Sequence, residues 1–378
     1  MSSKRGNREG SIYRRSDGRW AAQISLPGDS RLRRRRKTLY GRTREQVRRK
    51  QVEADKALLD GIDVDVTQVT FYSFAQKWLQ RKRIEVRLRT WEGYESRVRT
   101  HLVPAFSGMN LRAIKPDHLR DLYAVLIARG ISARTVRHIH VILQSMLKAA
   151  EQDGLLVRNV ARLVKPPRVI RREFLTLSPR EARLLIDGAA GHPDEPLFLL
   201  AISTGLRIGE LLGLRWEDVN LEKRTIRVVQ SLTRHKGGWS LDETKTASSR
   251  RQIELTDRAC KALTNHRKRQ AELRLAAGLA WTDLDLVFAS SVGTPRSSQN
   301  VTRRSFRPLL KRLELPPIRF QDLRHTAATL LLGEGTHPKV VSEMLGHASV
   351  QITLDTYSHV TPTMLRVAAD AMESVLAG

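Results

Sequence analysis

The hydrophobic pattern of this 378-residue chain changes period twice, and no single core can follow both changes. Up to residue 66 the pattern is that of short strands. Gly10–Arg15 and Arg19–Ser25 are β-type runs around an Asp17-Gly18 turn, and a third run, Arg33–Tyr40, follows Pro27-Gly28. Thr43 is placed to cap a helix from Arg44 to near Leu59, with Gly61 to end it. From 67 to 169 apolar residues recur at helical spacing in Phe71–Arg83, Thr90–Leu102, Pro116–Ala128 and Ser132–Gln152, punctuated by Pro104, Gly130 and Gly154. Pro166-Pro167 predicts an extended linker, and beyond it strand and helix patterns mix. The expected architecture is multidomain and mainly α with small β elements. Residues 1–66 form a three-stranded sheet plus a helix, residues 67–169 an all-helical domain with its linker, and residues 170–378 a mixed α+β domain. A prior of about 150 residues per domain agrees with that division.

Charge narrows the partner. Lys and Arg number 67 against 39 Asp and Glu, a formal +28, and a surplus of that size matches a polyanion. The three segments carry +9, +12 and +7 in order. A localisation tail would concentrate the charge, whereas its spread over successive segments predicts a protein that wraps nucleic acid. Arg outnumbers Lys 51 to 16, through either guanidinium–phosphate pairing or codon bias. Candidate DNA contacts are Arg14, Arg15, Arg19, Arg33, Arg34, Arg35 and Arg36 on a basic sheet face, with Arg87, Arg89, Arg134 and Arg137 on polar helix faces. A solvated basic surface is the alternative. Cys260 is the one cysteine, which excludes an internal disulfide and a multi-cysteine zinc cage. His138 and His140, two residues apart, do not share a helical face, so no metal site is expected. No apolar run approaches the ~20 residues that cross a bilayer, and the charged N-terminus has no apolar segment behind it, so a cytoplasmic protein is expected.

Three strings after residue 170 carry the chemistry: Thr204-Gly-Leu-Arg-Ile-Gly-Glu-Leu211, Gln321-Asp-Leu-Arg-His-Thr326, and Leu345-Gly-His347 with Tyr357 ten residues later. Together they resemble the tyrosine recombinase (phage integrase) family. Its signature is an Arg in a TGxRxxE string, a Lys on a β-hairpin, an HxxR pair, a His or Trp in an LGH string, and a Tyr shortly after. Here those positions are Arg207, Lys245, Gln321 with Arg324, His347 and Tyr357, in agreement at five of six. The resemblance implies a site-specific DNA recombinase that needs no cofactor or metal and acts as a homotetramer on double-stranded DNA. It would cut and rejoin strands through 3′-phosphotyrosine links and a Holliday junction, integrating or excising a mobile element or phage genome. The first two segments would be arm-binding and core-binding domains, and DNA-bending and directionality factors are possible partners.

The residue types make chemical sense without the family. A phosphodiester is a poor, anionic electrophile, so a metal-free protein must neutralise the developing charge with fixed cations. Arg207 and Arg324 supply two forks for the non-bridging oxygens, and His347 adds a donor. Lys245, between strands Ile226–Gln230 and Arg251–Leu255, can serve as general acid toward the 5′-oxygen. A phenolic oxygen forms an ester that conserves bond energy for rejoining, and Tyr357 is the only tyrosine after residue 170. Glu210, three residues after Arg207, either orients its guanidinium or is an ordinary surface pair. His325 is expected to cap or pack behind Arg324, and Thr326 to pack or make a local hydrogen bond. Gln321 stands where the family has His. An amide exchanges hydrogen bonds but carries no proton at neutral pH, so either the site tolerates it or the chain is attenuated. The five intact positions favour tolerance. A type IB topoisomerase and a non-catalytic DNA-binding relative are the rival readings. Past Pro362, Leu365, Ala368, Met372, Val375 and Leu376 predict a helix with one apolar stripe, docked on its own domain or on a neighbour.

Overall fold

The structure, a computed structural model, describes residues 12–25, 36–59, 69–170, 174–243, 250–357 and, near the C-terminus, 369, 370, 372, 373 and 375–377. The chain divides into two compact units, Met1–Arg171 and Arg172–Gly378.

The first unit opens with an antiparallel sheet in the order β1 (Ile12–Arg14), β2 (Trp20–Ser25), β3 (Arg36–Gly41). Asp17 accepts the Arg19 amide at 3.1 Å and Gly18 takes φ +80°, which makes the predicted turn. Arg33, Arg34 and Arg35, where the sequence pattern begins the third run, lie outside the described residues. The helix Arg44–Leu59 follows Thr43, whose hydroxyl accepts the Gln46 amide at 3.2 Å. It packs on the face that carries Ala22, Ile24 and Leu39, with Val47 and Ala54 buried beneath. Four helical stretches follow. Phe71–Glu85 is capped by Thr70, and Ala133–Gln152 by Ser132. Pro116–Ala128 has the expected bounds. Their apolar stripes close over Phe71, Phe74, Trp78, Leu119, Val136, Ile139, Leu143 and Met146.

The expected Thr90–Leu102 helix is corrected. An α-helix spans Leu88–Arg97 and widens into a π-turn over Val98–Leu102, where the Val103 amide reaches back to the Val98 carbonyl. Pro104 supplies the reason, since its ring has no N–H and would clash with the carbonyl four residues earlier. The same widening recurs over Val301–Phe306, ahead of Pro308.

In the second unit the helix Glu195–Thr204 is apolar nearly all round and lies in the core, with Leu197, Phe198, Leu200 and Ala201 fully covered. A sheet in the order β4 (Val219–Asn220), β5 (Thr225–Val228), β8 (Arg251–Glu254) packs against that core. Between β5 and β8 the chain makes a separate hairpin, β6 (Gln230–His235) with β7 (Gly238–Glu243). The strand expected over Ile226–Gln230 is therefore two: β5 ends at Val228 and β6 begins at Gln230. The unit also holds helices Pro179–Gly188, Asp257–Ala277, Arg307–Arg312, Asp322–Gly333, Pro338–Leu345 and Val350–Tyr357. Among the described residues no helix is long and apolar enough to cross a membrane.

Candidate active site

The site is assembled around one left-handed glycine. Gly205 ends the helix Glu195–Thr204 at φ +64°, and its carbonyl accepts Arg324 Nη1 at 2.9 Å. A Cβ there would lie 2.4 Å from Leu345 Cδ2 and 3.8 Å from Arg324 Cγ. The turn that presents Arg207, the helix that carries Arg324 and the end of the helix that precedes His347 thus meet where only hydrogen fits.

Arg207 is the N-cap of the short helix Ile208–Leu212, and Glu210 is its third residue. The Glu210 carboxylate accepts the Arg207 amide at 3.0 Å, Arg207 Nη1 at 2.9 Å and Arg251 Nη2 at 2.9 Å. Of the two readings of Glu210, the orienting one fits this geometry. Burial opposes its charge, but Arg251 and Arg207 outweigh burial and hold the carboxyl below the usual glutamate range. Arg207 keeps 42% of its side chain exposed and Arg251 only 6%, so one guanidinium is available to a ligand and the other is a structural pin. Arg251 also donates from Nε to the Met344 carbonyl at 2.6 Å, which ties β8 to the Leu345-Gly346-His347 turn. Its site role is absent from the sequence reading. The alternation of Arg251 with buried Ile253 and Leu255 was the available signal, because it puts Arg251 on the core side of the strand.

Arg324 is 4% exposed, and its Nη2 has no hydrogen-bond partner among the described residues. Burial and the neighbouring Arg207 lower its pKa to about 9, so it stays charged at neutral pH beside like charges. A buried donor in that state is stabilised by an anion. His347 follows Gly346 in another left-handed turn, and its Nδ1 meets Thr353 Oγ1 at 2.7 Å. When Thr353 donates, the imidazole proton sits on Nε2 and is free for an oxyanion. Burial, then Arg324 and Arg207, push His347 down to about 4. Tyr357 shares a helix face with Thr353, four residues earlier, and both are buried. Burial raises its phenol to about 12 against a lowering from Arg324.

One expectation changes here. His325 does not merely pack behind Arg324: its Nδ1 lies 2.9 Å from the Tyr357 hydroxyl, and Phe174 stacks on its ring at 3.9 Å between centroids. Thr326 behaves as expected, donating to the Asp322 carbonyl at 3.0 Å and accepting the Leu177 amide at 3.0 Å. Gln321 precedes the helix Asp322–Gly333, half-buried, and its amide has no partner among the described residues. Lys245 lies outside the described residues. Its flanking hairpin is held to the Arg207 helix, for Gln230 donates to the Gly213 carbonyl at 2.8 Å, and Cβ atoms at Gly209 or Gly213 would strike Ser231 or Leu232.

The other basic candidates are scattered. Tyr13, Ala21 and Tyr40 are cross-strand partners on the sheet face opposite its helix, and Arg15 covers the Tyr40 ring at 5.3 Å. Arg19 falls on that face by alternation, whereas Arg14 falls on the other and turns toward the Gly18 carbonyl. Arg36 is exposed at the start of β3, and Arg33, Arg34 and Arg35 lie outside the described residues. Arg87, Arg89, Arg134 and Arg137 are exposed, and Arg89 pairs with Glu92. His138 is exposed while His140 is buried against the Tyr123 hydroxyl at 2.7 Å. Of the C-terminal stripe, Leu365 and Ala368 lie outside the described residues, and Met372, Val375 and Leu376 are exposed.

Comparison with known proteins places the chain in a family. The phage integrase family profile matches residues 176–364, and its N-terminal SAM-like domain profile matches residues 70–127. A tyrosine recombinase XerC-like protein of Caldanaerobacter subterraneus subsp. tengcongensis is 30% identical over 360 residues, 90% of this chain and 92% of the relative. The Tn1549 transposon integrase in complex with a circular intermediate DNA superposes with a TM-score of 0.67 at 21% identity, over 81% of this chain and 100% of that one. A lambda integrase tetramer bound to a Holliday junction superposes at 0.57 and 19% identity, over 89% of this chain and 95% of that one. The two structures extend the likeness in fold, and the sequence matches settle the kinship: this chain belongs to the phage integrase family of tyrosine recombinases.

Proposed function

We propose that the chain cuts and rejoins double-stranded DNA at specific sites through a 3′-phosphotyrosine on Tyr357. The observation that carries this reading is the buried, partnerless Nη2 of Arg324 beside Arg207, a cationic cradle that lacks its anion. A scissile phosphate supplies that anion. Arg207 and Arg324 would hold its non-bridging oxygens, with donation from His347 Nε2 and the Gln321 amide. The Tyr357 oxygen attacks phosphorus in line, the bond to the 5′-oxygen breaks, and Lys245 protonates the leaving oxygen. Rejoining is the reverse, with a 5′-hydroxyl as nucleophile.

The finer assignments follow the sequence division. Residues 1–66 would read arm sites through the Tyr13–Tyr40 face and its arginines, and residues 67–169 would grip the core site through Arg87, Arg89, Arg134 and Arg137. Four copies would join two DNA sites in the cytoplasm, with accessory bending or directionality factors as further partners. The experiment is a nicked suicide substrate built from DNA that flanks the gene, with the trapped peptide mapped by mass spectrometry. An adduct on Tyr357 that disappears in Tyr357→Phe, while specific binding stays within a few fold, is the expected result. A residual adduct in Tyr357→Phe would overturn the assignment of the nucleophile.

A further inference from the structure

Three imidazole or amide side chains lie near the proposed chemistry, and one of them, His325, touches the nucleophilic oxygen. Gln321, where an imidazole is usual, cannot carry a proton. His347 has its Nδ1 engaged by Thr353 and faces the two arginines. Thr353 serves His347. His325 Nδ1 is 2.9 Å from the Tyr357 hydroxyl, which is itself part of a residue only 4% exposed. A phenol shielded in this way needs a protein atom to receive its proton.

We propose that His325 is a catalytic base, taking the Tyr357 proton on Nδ1 as the phenolic oxygen attacks the phosphodiester. The inference rests on Tyr357 being the nucleophile, as proposed above. Phe174 stacks on the ring at 3.9 Å and 20° between planes, which fixes the imidazole plane while the hydroxyl fixes one edge. His325 directly follows Arg324 on the helix Asp322–Gly333, so the phosphate-binding group and the base are set by the same turn. The charged and titratable groups around it are Asp322 and Arg324 of its own helix, Arg319 before it, His347 and Tyr357. Asp322 is committed to Arg319 at 2.8 Å and still favours the imidazolium, while burial and the two arginines favour the neutral ring that can accept. The step balances. The Tyr357 O–H bond breaks and its proton moves to Nδ1, the phosphorus–tyrosine bond forms, and the bond to the 5′-oxygen breaks as that oxygen takes a proton from Lys245. On rejoining, the 5′-hydroxyl returns its proton to the Lys245 amine as it attacks phosphorus, the phosphorus–tyrosine bond breaks, and the departing phenolate recovers its proton from the imidazolium.

The test is single-turnover cleavage of the suicide substrate from pH 6 to 9.5 by the full chain, His325→Asn and His325→Ala. Asn keeps a short polar group for the hydroxyl but cannot accept a proton. Both variants should cleave about 10²-fold or more slowly at pH 7, with a rate that climbs tenfold per pH unit because hydroxide must remove the proton. The parent should level off once its imidazole is neutral. A slope is read on whatever fraction is active, so partial misfolding lowers the amplitude without creating it. A substrate with sulfur as the bridging 5′ leaving atom should restore Lys245→Ala and leave both His325 variants slow. His325→Asn with the parent's rate and pH profile, or a flat profile at reduced rate, would show that His325 only positions the hydroxyl. An adduct that maps away from Tyr357 in the parent overturns the nucleophile assignment first, and this inference with it.

Discussion

Glu210→Gln is the most informative single change, because the carboxylate it neutralises anchors two arginines of opposite exposure. Oε2 accepts both the Arg207 amide and Arg251 Nη2, and Oε1 accepts Arg207 Nη1. A glutamine carbonyl in place of Oε2 keeps the first two bonds, but its NH2 then faces a guanidinium. Arg207, 42% exposed, can turn to water. Arg251, 6% exposed, cannot, and although it keeps the glutamine and Met344 carbonyls it loses the negative charge that offset its own. Breaking a buried pair by removing one partner costs roughly 3–5 kcal/mol, and the surviving bonds place this case near 3. Hydrogen exchange of the buried Glu195–Thr204 helix should accelerate by about 10²-fold as the unit is destabilised. Cleavage should fall by about 10²-fold as Arg207 loses its orientation. The pH dependence has a definite sign. Glu210 has a depressed folded pKa, so its stabilisation is present above the unfolded value of roughly 4.3 and fades as pH falls through the folded value. The stability gap between parent and variant should therefore be full at pH 6 and shrink in acid. Adding Arg251→Met should recover stability without recovering cleavage. A loss below about 1 kcal/mol at pH 6 would refute the view that Glu210 anchors a buried charge.

Gly205→Ala puts a methyl 2.4 Å from Leu345 Cδ2 at φ +64°, and should cost about 2–5 kcal/mol from backbone strain plus overpacking, measured by calorimetry. Gln321→Ala should slow cleavage as a phosphate donor is lost, whereas Gln321→His should change the single-turnover rate by no more than about tenfold. A hundredfold gain in Gln321→His, with Gln321→Ala equal to the parent, would instead mark the chain as attenuated. Deleting residues 1–66 should make the log–log salt slope of DNA binding shallower while leaving weak cleavage at the core site; an unchanged slope would mean that the basic sheet is only a solvated surface.

Features set by near neighbours in sequence were legible. Thr43 and Ser132 announce their helices through hydroxyl caps, and the Arg207–Glu210 pair is a three-residue spacing. The π-turns were also written locally, in Pro104 and Pro308, but the amphipathic pattern runs through them unbroken and hides the change. What the sequence concealed lies in pairs far apart in the chain. His325 and Tyr357 are 32 residues apart, Arg251 and Glu210 are 41, and Arg251 and the Met344 carbonyl are 93. Only folding selects such partners from the many residues of the same type. The β6–β7 hairpin was missed for another reason: its strands are short and polar, so no apolar alternation marks them.

The two halves of the site are built to different standards of rigidity. Arg324 and Glu210 sit against the main core, where the helix Glu195–Thr204 is covered on all sides and Gly205 permits no side chain. Preorganised cations need that support, because electrostatic stabilisation of a transition state is lost if the dipoles must reorganise at the moment of reaction. Tyr357 instead packs in a separate small cluster with Ala328, Leu332, Val341 and Leu345, while Val350, Ile352 and Leu354 on the same helix are 39–44% exposed. Beyond that cluster, the Thr353–His347 and Tyr357–His325 hydrogen bonds fix the helix to its neighbours. With little apolar burial over its described residues, this helix belongs to the low-stability end of the unit. The proposed nucleophile thus rests on a lightly buried mount, apart from the main core that supports the two arginines. The polar contacts of Thr353 and Tyr357 then matter more than their number suggests, because they set where the hydroxyl rests before DNA arrives.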